Sequence, residues 1–321
     1  VWPACGRGHL GEPRFDQPVA KGGYLWWYVD ALSSDGQFGL TLIAFVGSVF
    51  SPYYAQSRRM LGQSNPMDHC ALNVALYNPN HHRWAMTERG LNLCHRNERE
   101  LGIGPSQVEW DGQSLRFFIR ERCVPFPHLL EGEIRVWPDA LHPQVHTLDS
   151  QGQHLWGPIA TRSHITVNFS HPNLSWKGSA YLDANLGHEP IENGFVNWDW
   201  SRALLPDGST LVNYDMHGSD QPDRLLRLIY RPQGAIEVLG DAPAWSLPAT
   251  AWRLPRRVRS DTPSTSIRLL EDTPFYQRGL VSQTHQGQSV LAFHESLSVP
   301  RLTHPVVQAL LPWRMPRKTR A

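Results

Sequence analysis

Short-range alternation restricts this chain more than any other feature. From Asp68 to Tyr77, Cys70, Leu72, Val74 and Leu76 share one parity, and His69, Ala71, Asn73 and Ala75 the other. Successive side chains of an extended strand point to opposite faces, so a period of two marks a strand and excludes an amphipathic helix with its repeat near 3.6. The same reading predicts strands at Leu115–Arg120, Glu133–Trp137, His164–Phe169, Trp176–Asp183, Thr210–Met216, Leu225–Tyr230 and Ala235–Leu239. Turn chemistry separates them: Ser34-Asp35-Gly36, Asn78-Pro79-Asn80, Asp111-Gly112, Gln151-Gly152, Pro206-Asp207-Gly208 and Pro232-Gln233-Gly234. Helical periodicity is confined to a short stretch near Tyr53 and another over Pro305–Leu311. Many short strands at regular spacing predict an all-β fold of sandwiches or barrels. At 321 residues, two antiparallel units are expected, divided near Gly157 to Ser163, so that residues 1–160 form one domain and 161–321 the other.

With 40% hydrophobic and 18% charged residues the chain can build a core and is not disordered. A net charge of +1 supplies no field for nucleic acid. The 13 tryptophans fit either a larger core or an apolar cavity. Cys5, Cys70, Cys94 and Cys123 form no CxxC pair and no zinc spacing, and are expected to be reduced, as in a cytoplasmic protein. There is no signal-peptide pattern, and the first residue is Val, as in a fragment or processed form. The apolar stretch Phe38–Phe50 falls short of the ~18 residues of a membrane span and reads as a buried strand. Any membrane contact is therefore expected to be peripheral. The C-terminal Val306–Trp313 stretch, followed by Arg314, Arg317, Lys318 and Arg320, fits either a helix packed on its domain or one lying on an anionic membrane.

Signatures for dinucleotide, phosphate or metalloprotease chemistry are absent, as is the nucleophile-elbow serine. The His81-His82 pair follows a turn and reads as an exposed loop rather than a metal site. Chemistry concentrates between Trp176 and Met216, where Asp183, His188, Glu189, Glu192, Asp199 and Asp215 lie among Trp176, Tyr181, Trp198, Trp200 and Tyr214. Acids embedded among aromatics are candidates for a proton donor, because burial disfavours the charged form. Asp215 shares a strand face with Leu211 and Asn213, and Tyr214 points the other way; Asp215 looks into a barrel, faces solvent or pairs with an arginine such as Arg202. Asp183 is either an acid or a turn cap ahead of Asn185 and Gly187. Trp198 and Trp200 share a face and serve either core packing or a wall that steadies a cation.

Several stretches resemble the carotenoid 1,2-hydratase (hydroxyneurosporene synthase) family: GGYLWWYVDALSSDGQFGLTLIAFVGSVFSPYY at 22–54, DHCALNVALYNP at 68–79, RWAMTERG at 83–90, YLDANLGHEPIE followed by WDWSRA, AFHESLSVPR and QALLPWRMPR. They span nearly the whole chain in order. The resemblance implies two lipocalin-like β domains and cofactor-free addition of water to the 1,2 double bond of acyclic carotenoids such as neurosporene or lycopene. It also implies a purple-bacterial type of pathway and a cytoplasmic location, peripheral on the inner, photosynthetic membrane that delivers the substrate. It gives most weight to Asp215 as the acid. It also points to a His or aromatic near 186–188 and an aromatic near 213, where this chain has Leu186, Gly187, His188 and Asn213. In the expected mechanism Asp215 protonates C2. Indoles of Trp198, Trp200, Trp26 or Trp27, with Tyr181 nearby, face the cation at C1. Water held by His188, Tyr214 or Asn213 then attacks, with Asp183 as a further acid. The alternatives are a non-catalytic carotenoid or lipid carrier on the same barrels and a polyene cyclase of related fold.

Overall fold

A computed structural model describes residues 11–79 and 82–320. The turn residue Asn80, His81 and Cys5 lie outside the described residues. The chain divides into two compact units, one made of residues up to Thr147, Gly152–Pro190 and the segment from Ala309, the other of Leu148–Gln151 and Ile191–Gln308.

In the first unit, β1 (Tyr24–Ser33), β2 (Gly39–Val46), β3 (Cys70–Tyr77) and β4 (Arg83–Arg89) form one antiparallel meander. A second meander holds β5 (Cys94–Arg96), β6 (Glu100–Ile103), β7 (Ser106–Trp110), β8 (Leu115–Arg122) and β9 (Leu129–Pro138). After the short β10 (His146–Thr147), a long hairpin of β11 (His154–His171) and β12 (Leu174–Gly187) joins the two, because β12 pairs with β1 and β11 with β9. The division expected near residue 160 therefore falls inside β11. At the expected division the strand carries register shifts between Pro158 and Ala160 and between Ala160 and Ser163. Bulges bend a strand without ending it. The sheet curls until β4 meets β8: Arg89 Nη2 donates to Glu121 Oε2 at 2.8 Å, and Val124 N donates to Trp84 O at 3.3 Å.

One face of this sheet forms a single apolar core, with Leu25, Trp27, Val29, Leu72, Val74, Phe117, Val136, Val167, Leu182 and Leu186 among its members. Each fully buried aliphatic or aromatic chain of this kind contributes about 1.5–3 kcal/mol. Trp27 packs on Phe15 with ring centroids 4.7 Å apart, so it belongs to the core rather than to a substrate wall. Leu186 does the same, which accounts for an apolar residue there. Helix α1 (Pro52–Leu61) follows β2, capped by Ser51 Oγ, which accepts from Tyr54 N at 2.9 Å.

The second unit opens with a short turn of helix, α2 (Ile191–Gly194). Its strands are β13 (Phe195–Leu204), β14 (Thr210–Gly218), β15 (Arg224–Tyr230), β16 (Ile236–Val238), β17 (Ala244–Ser246), β18 (Arg257–Arg259), β19 (Thr265–Asp272), β20 (Tyr276–His285) and β21 (Gln288–Ser298). Seven of them form one antiparallel sheet in the order β16-β15-β14-β13-β21-β20-β19, and β17 and β18 make a separate hairpin. Leu211, Ile229, Val258, Val281 and Ala292 form its core. Two further helices follow, α3 (Val299–Leu302) and α4 (Pro305–Arg314). The all-β, lipocalin-like class expected from the sequence is the class observed.

Candidate active site

The strands of the first unit differ in what their second face does. On β8 and β9 the residues facing away from the core, such as Arg120, Glu133 and Arg135, reach solvent at least in part. On β1 and the C-terminal half of β12 both faces are buried, and the second carries Tyr24, Trp26, Tyr28, Asp30, Tyr181, Asp183 and Asn185. Asp30 is 0% exposed and Asp183 4%. Burying polar groups costs about 1–3 kcal/mol each unless they are hydrogen-bonded.

Asp183 is the centre of this face. Its Oδ2 accepts from the Trp156 indole Nε1 at 2.8 Å and from the Tyr181 hydroxyl at 2.9 Å. The strands dictate this: Tyr181 is two residues before Asp183 on β12, and Trp156 reaches it from β11, where Pro158 is the register partner of Asp183. Two residues before Trp156, on the same strand, His154 Nδ1 lies 2.9 Å from the Tyr24 hydroxyl, and its Nε2 lies 3.4 Å from Glu189 Oε1. Trp26 stacks on Tyr24 at 4.8 Å and meets Phe45 edge-on at 5.8 Å. The result is a buried carboxyl held by an indole and a phenol, with an imidazole on the same face. Asp183 is thus mid-strand, not the turn cap that its neighbours Asn185 and Gly187 suggest.

The remaining expected residues fall differently. His188 is exposed; its backbone N donates to Gln153 O at 2.9 Å, and the buried histidine of the face is His154. Trp198, Trp200, Asn213, Tyr214 and Asp215 belong to the second unit. There Asp215 Oδ2 accepts from Arg259 Nε at 2.7 Å, so the carboxylate is paired by an arginine on β18 rather than by Arg202. Asn213 Nδ2 donates to Ser201 Oγ at 3.2 Å, and its Oδ1 accepts from Arg227 Nε at 3.0 Å, leaving it a structural link. Trp198 packs between Phe195 and Tyr214, at 5.8 and 6.3 Å.

Opposite Asp215 in register stands Asp199, whose carboxyl is pushed up to about 7 by burial, against opposing hydrogen bonds from the Ser296 hydroxyl and Arg257 N. His294, whose Nε2 lies 2.7 Å from Arg257 O, is pushed down to about 4 by burial. These groups tie the β17–β18 hairpin to the sheet through Arg257 and Arg259.

Sequence reasoning passed over His154, Trp156 and Tyr24. The available signal was the period-two spacing of His154-Leu155-Trp156, which sets both rings on one face with Leu155 in the core.

Fold and site together define a lipocalin-like antiparallel β protein with a buried acid set among aromatic rings. Its fold is similar to that of a putative AttH from Nitrosomonas europaea, with a TM-score of 0.60 and 16% identity over 87% of this chain and 92% of that one. It is also similar to that of CghA solved with Sch210972, with a TM-score of 0.55 and 9% identity over 92% and 97%. In sequence, the family model for the carotenoid hydratase CrtC matches residues 42–321. Acyclic carotenoid 1,2-hydratases of Rubrivivax gelatinosus and Thiocapsa roseopersicina are 48% and 45% identical, over 96% and 97% of this chain and 77% and 79% of theirs. That of Cereibacter sphaeroides is 32% identical over 86% of this chain and 98% of its own. The chain belongs to the carotenoid hydratase family and is a hydro-lyase.

Proposed function

We propose that this chain adds water across the C1–C2 double bond of an acyclic carotenoid such as neurosporene or lycopene, without a cofactor, using Asp183 as the proton donor. The observation that carries the reading is the double hydrogen bond from Trp156 and Tyr181 to one oxygen, Oδ2. The two donors fix the carboxyl in orientation, and in this reading the hydrogen it gives is carried on Oδ1. Oriented donors of this kind contribute typically ~10²–10⁴-fold. Proton transfer to C2 leaves a tertiary cation at C1. The indole of Trp156, and that of Trp26 beside Tyr24, supply negative ring faces for it, worth up to ~2 kcal/mol each when dry. Water then attacks C1 and gives the tertiary 1-hydroxy product.

The substrate dissolves in membranes rather than water, so the enzyme is proposed to work from a lipid surface. No helix among the described residues is long and apolar enough to cross a membrane. Helix α4 buries none of its residues and exposes Val306, Leu310 and Trp313 at 59%, 55% and 73%. Their i, i+4, i+7 spacing places them on one stripe, followed by the exposed cations Arg314, Lys318 and Arg320. This favours the membrane-facing alternative over a packed helix.

The test is to express the chain in a lycopene-producing host that lacks hydratase and to weigh the extracted carotenoids. A product heavier by one water, lost in Asp183→Asn and kept in Asp215→Asn, is the expected result. Loss only in Asp215→Asn would return the acid to the second unit. Unchanged lycopene beside folded protein would favour the carrier, and an altered carotenoid of unchanged mass the cyclase.

A further inference from the structure

Adding water moves two protons: one into the alkene and one out of the water. The second transfer needs an acceptor, and the register of β1 and β12 supplies one. Tyr28-Val29-Asp30 on β1 and Tyr181-Leu182-Asp183 on β12 are the same Tyr-x-Asp pattern on adjacent antiparallel strands, with Tyr28 opposite Asp183 and Asp30 opposite Tyr181. Within each, the phenol donates to the acid two residues on: Tyr28 OH to Asp30 Oδ2 at 3.1 Å, and Tyr181 OH to Asp183 Oδ2 at 2.9 Å. The two phenol rings meet edge to face at 6.4 Å. Val29 and Leu182, the central residues, both lie in the core, so both acids stand on the same buried face. The two motifs are related by a local two-fold, and Asp183 also accepts from the Trp156 indole N–H. With Asp183 as the proton donor, Asp30 is the second carboxyl of the same face.

We propose that Asp30 is the base that takes the proton from the attacking water, resting on the hydratase reading above. Diagonal neighbours on paired strands stand about 7 Å apart. Glycosidases that activate a water between an acid and a base keep their carboxyls ~6.5–9.5 Å apart, a separation that the side chains of two diagonal strand neighbours can span. The electron and proton balance is closed. The Asp183 carboxyl gives its proton to C2 as the π pair forms the new C–H bond. A lone pair of water forms the C–O bond at C1, and the resulting oxonium loses its proton to the Asp30 carboxylate. Return of that proton from Asp30 to Asp183, past Tyr28 and Tyr181, resets the pair with no net gain or loss.

The experiment separates the two transfers. Wild type, Asp183→Asn, Asp30→Asn and Tyr28→Phe are incubated with lycopene in lipid vesicles in deuterated water. Hydrated product and deuterium in the recovered alkene are then measured by mass spectrometry, with folding checked by circular dichroism. Asp183→Asn should lose both signals. Asp30→Asn should lose hydration by ~10²-fold or more yet still place deuterium in the recovered alkene, because the cation reverts by returning a C2 hydrogen to the Asp183 carboxylate. Tyr28→Phe, which keeps the carboxyl and removes its hydrogen bond, should show the same split with a smaller loss, and it decides the matter if Asp30→Asn does not fold. Undiminished hydration in the Asp30 variant, or hydration and exchange falling in step in a folded variant, overturns the role of Asp30 and leaves the hydratase reading standing. A wild type that gives neither signal overturns both.

Discussion

Replacing Asp199 with Asn should remove a pH-dependent strain from the second unit. In the folded chain this carboxyl is held at about 7, with burial the largest cause, against 3.8 for an ordinary aspartate. Between those values the unfolded chain has released a proton that the folded chain keeps, so the unfolded state binds fewer protons and stability falls as pH rises. The slope is about 1.36 kcal/mol per pH unit. Across the whole interval the loss approaches about 4 kcal/mol, and from about pH 5 to about pH 8.5 it is about 3 kcal/mol. An asparagine does not titrate. Its Oδ1 still accepts from the Ser296 hydroxyl and Arg257 N, the two contacts that Asp199 Oδ1 makes. Urea unfolding of the full chain at about pH 5 and about pH 8.5 therefore measures the effect. The variant should gain about 3 kcal/mol on the wild type between the two pH values. Parallel pH profiles for the two proteins would refute the assignment of a proton to Asp199.

Trp27→Ala should lower stability by about 3–5 kcal/mol, because its indole fills the core against Phe15, and denaturant unfolding reads this directly. Trp26→Ala, next along the chain but on the site face with Tyr24, should cost turnover more than stability, seen as a fall in product with a melting temperature near that of wild type. Trp313→Ser, at an exposed position of α4, should weaken sedimentation with anionic vesicles while leaving unfolding unchanged.

The strands were legible because alternation is a local property: those expected at Thr210–Met216 and Leu225–Tyr230 are observed as Thr210–Gly218 and Arg224–Tyr230. The site was legible only in part. Trp26 and Trp27 alternate, but both faces of β1 are buried, so hydrophobicity does not tell which indole meets the core. Asp183 and Asp215 are alike in sequence, each an acid among aromatics. What separates them is a partner brought from far along the chain, Trp156 for one and Arg259 for the other. His154 and Trp156 were hidden for a related reason: they lie just before the division expected near Gly157 to Ser163, and only the pairing of β11 with β12 shows a bent strand running through it.

The same pleat that sets Leu182 in the core sets Tyr181 and Asp183 on the opposite face, and Val29 and Leu155 stand likewise between Tyr28 and Asp30 and between His154 and Trp156. Insertion or deletion of one residue in any of these strands would exchange the faces, driving a carboxyl into hydrocarbon and lifting a leucine into its place. Descendants of this sequence are thus confined to changing side chains here, while length variation is left to the turns. In laboratory evolution of new substrate range, libraries built on point substitution within these three strands should keep folded members, and libraries built on indels there should not.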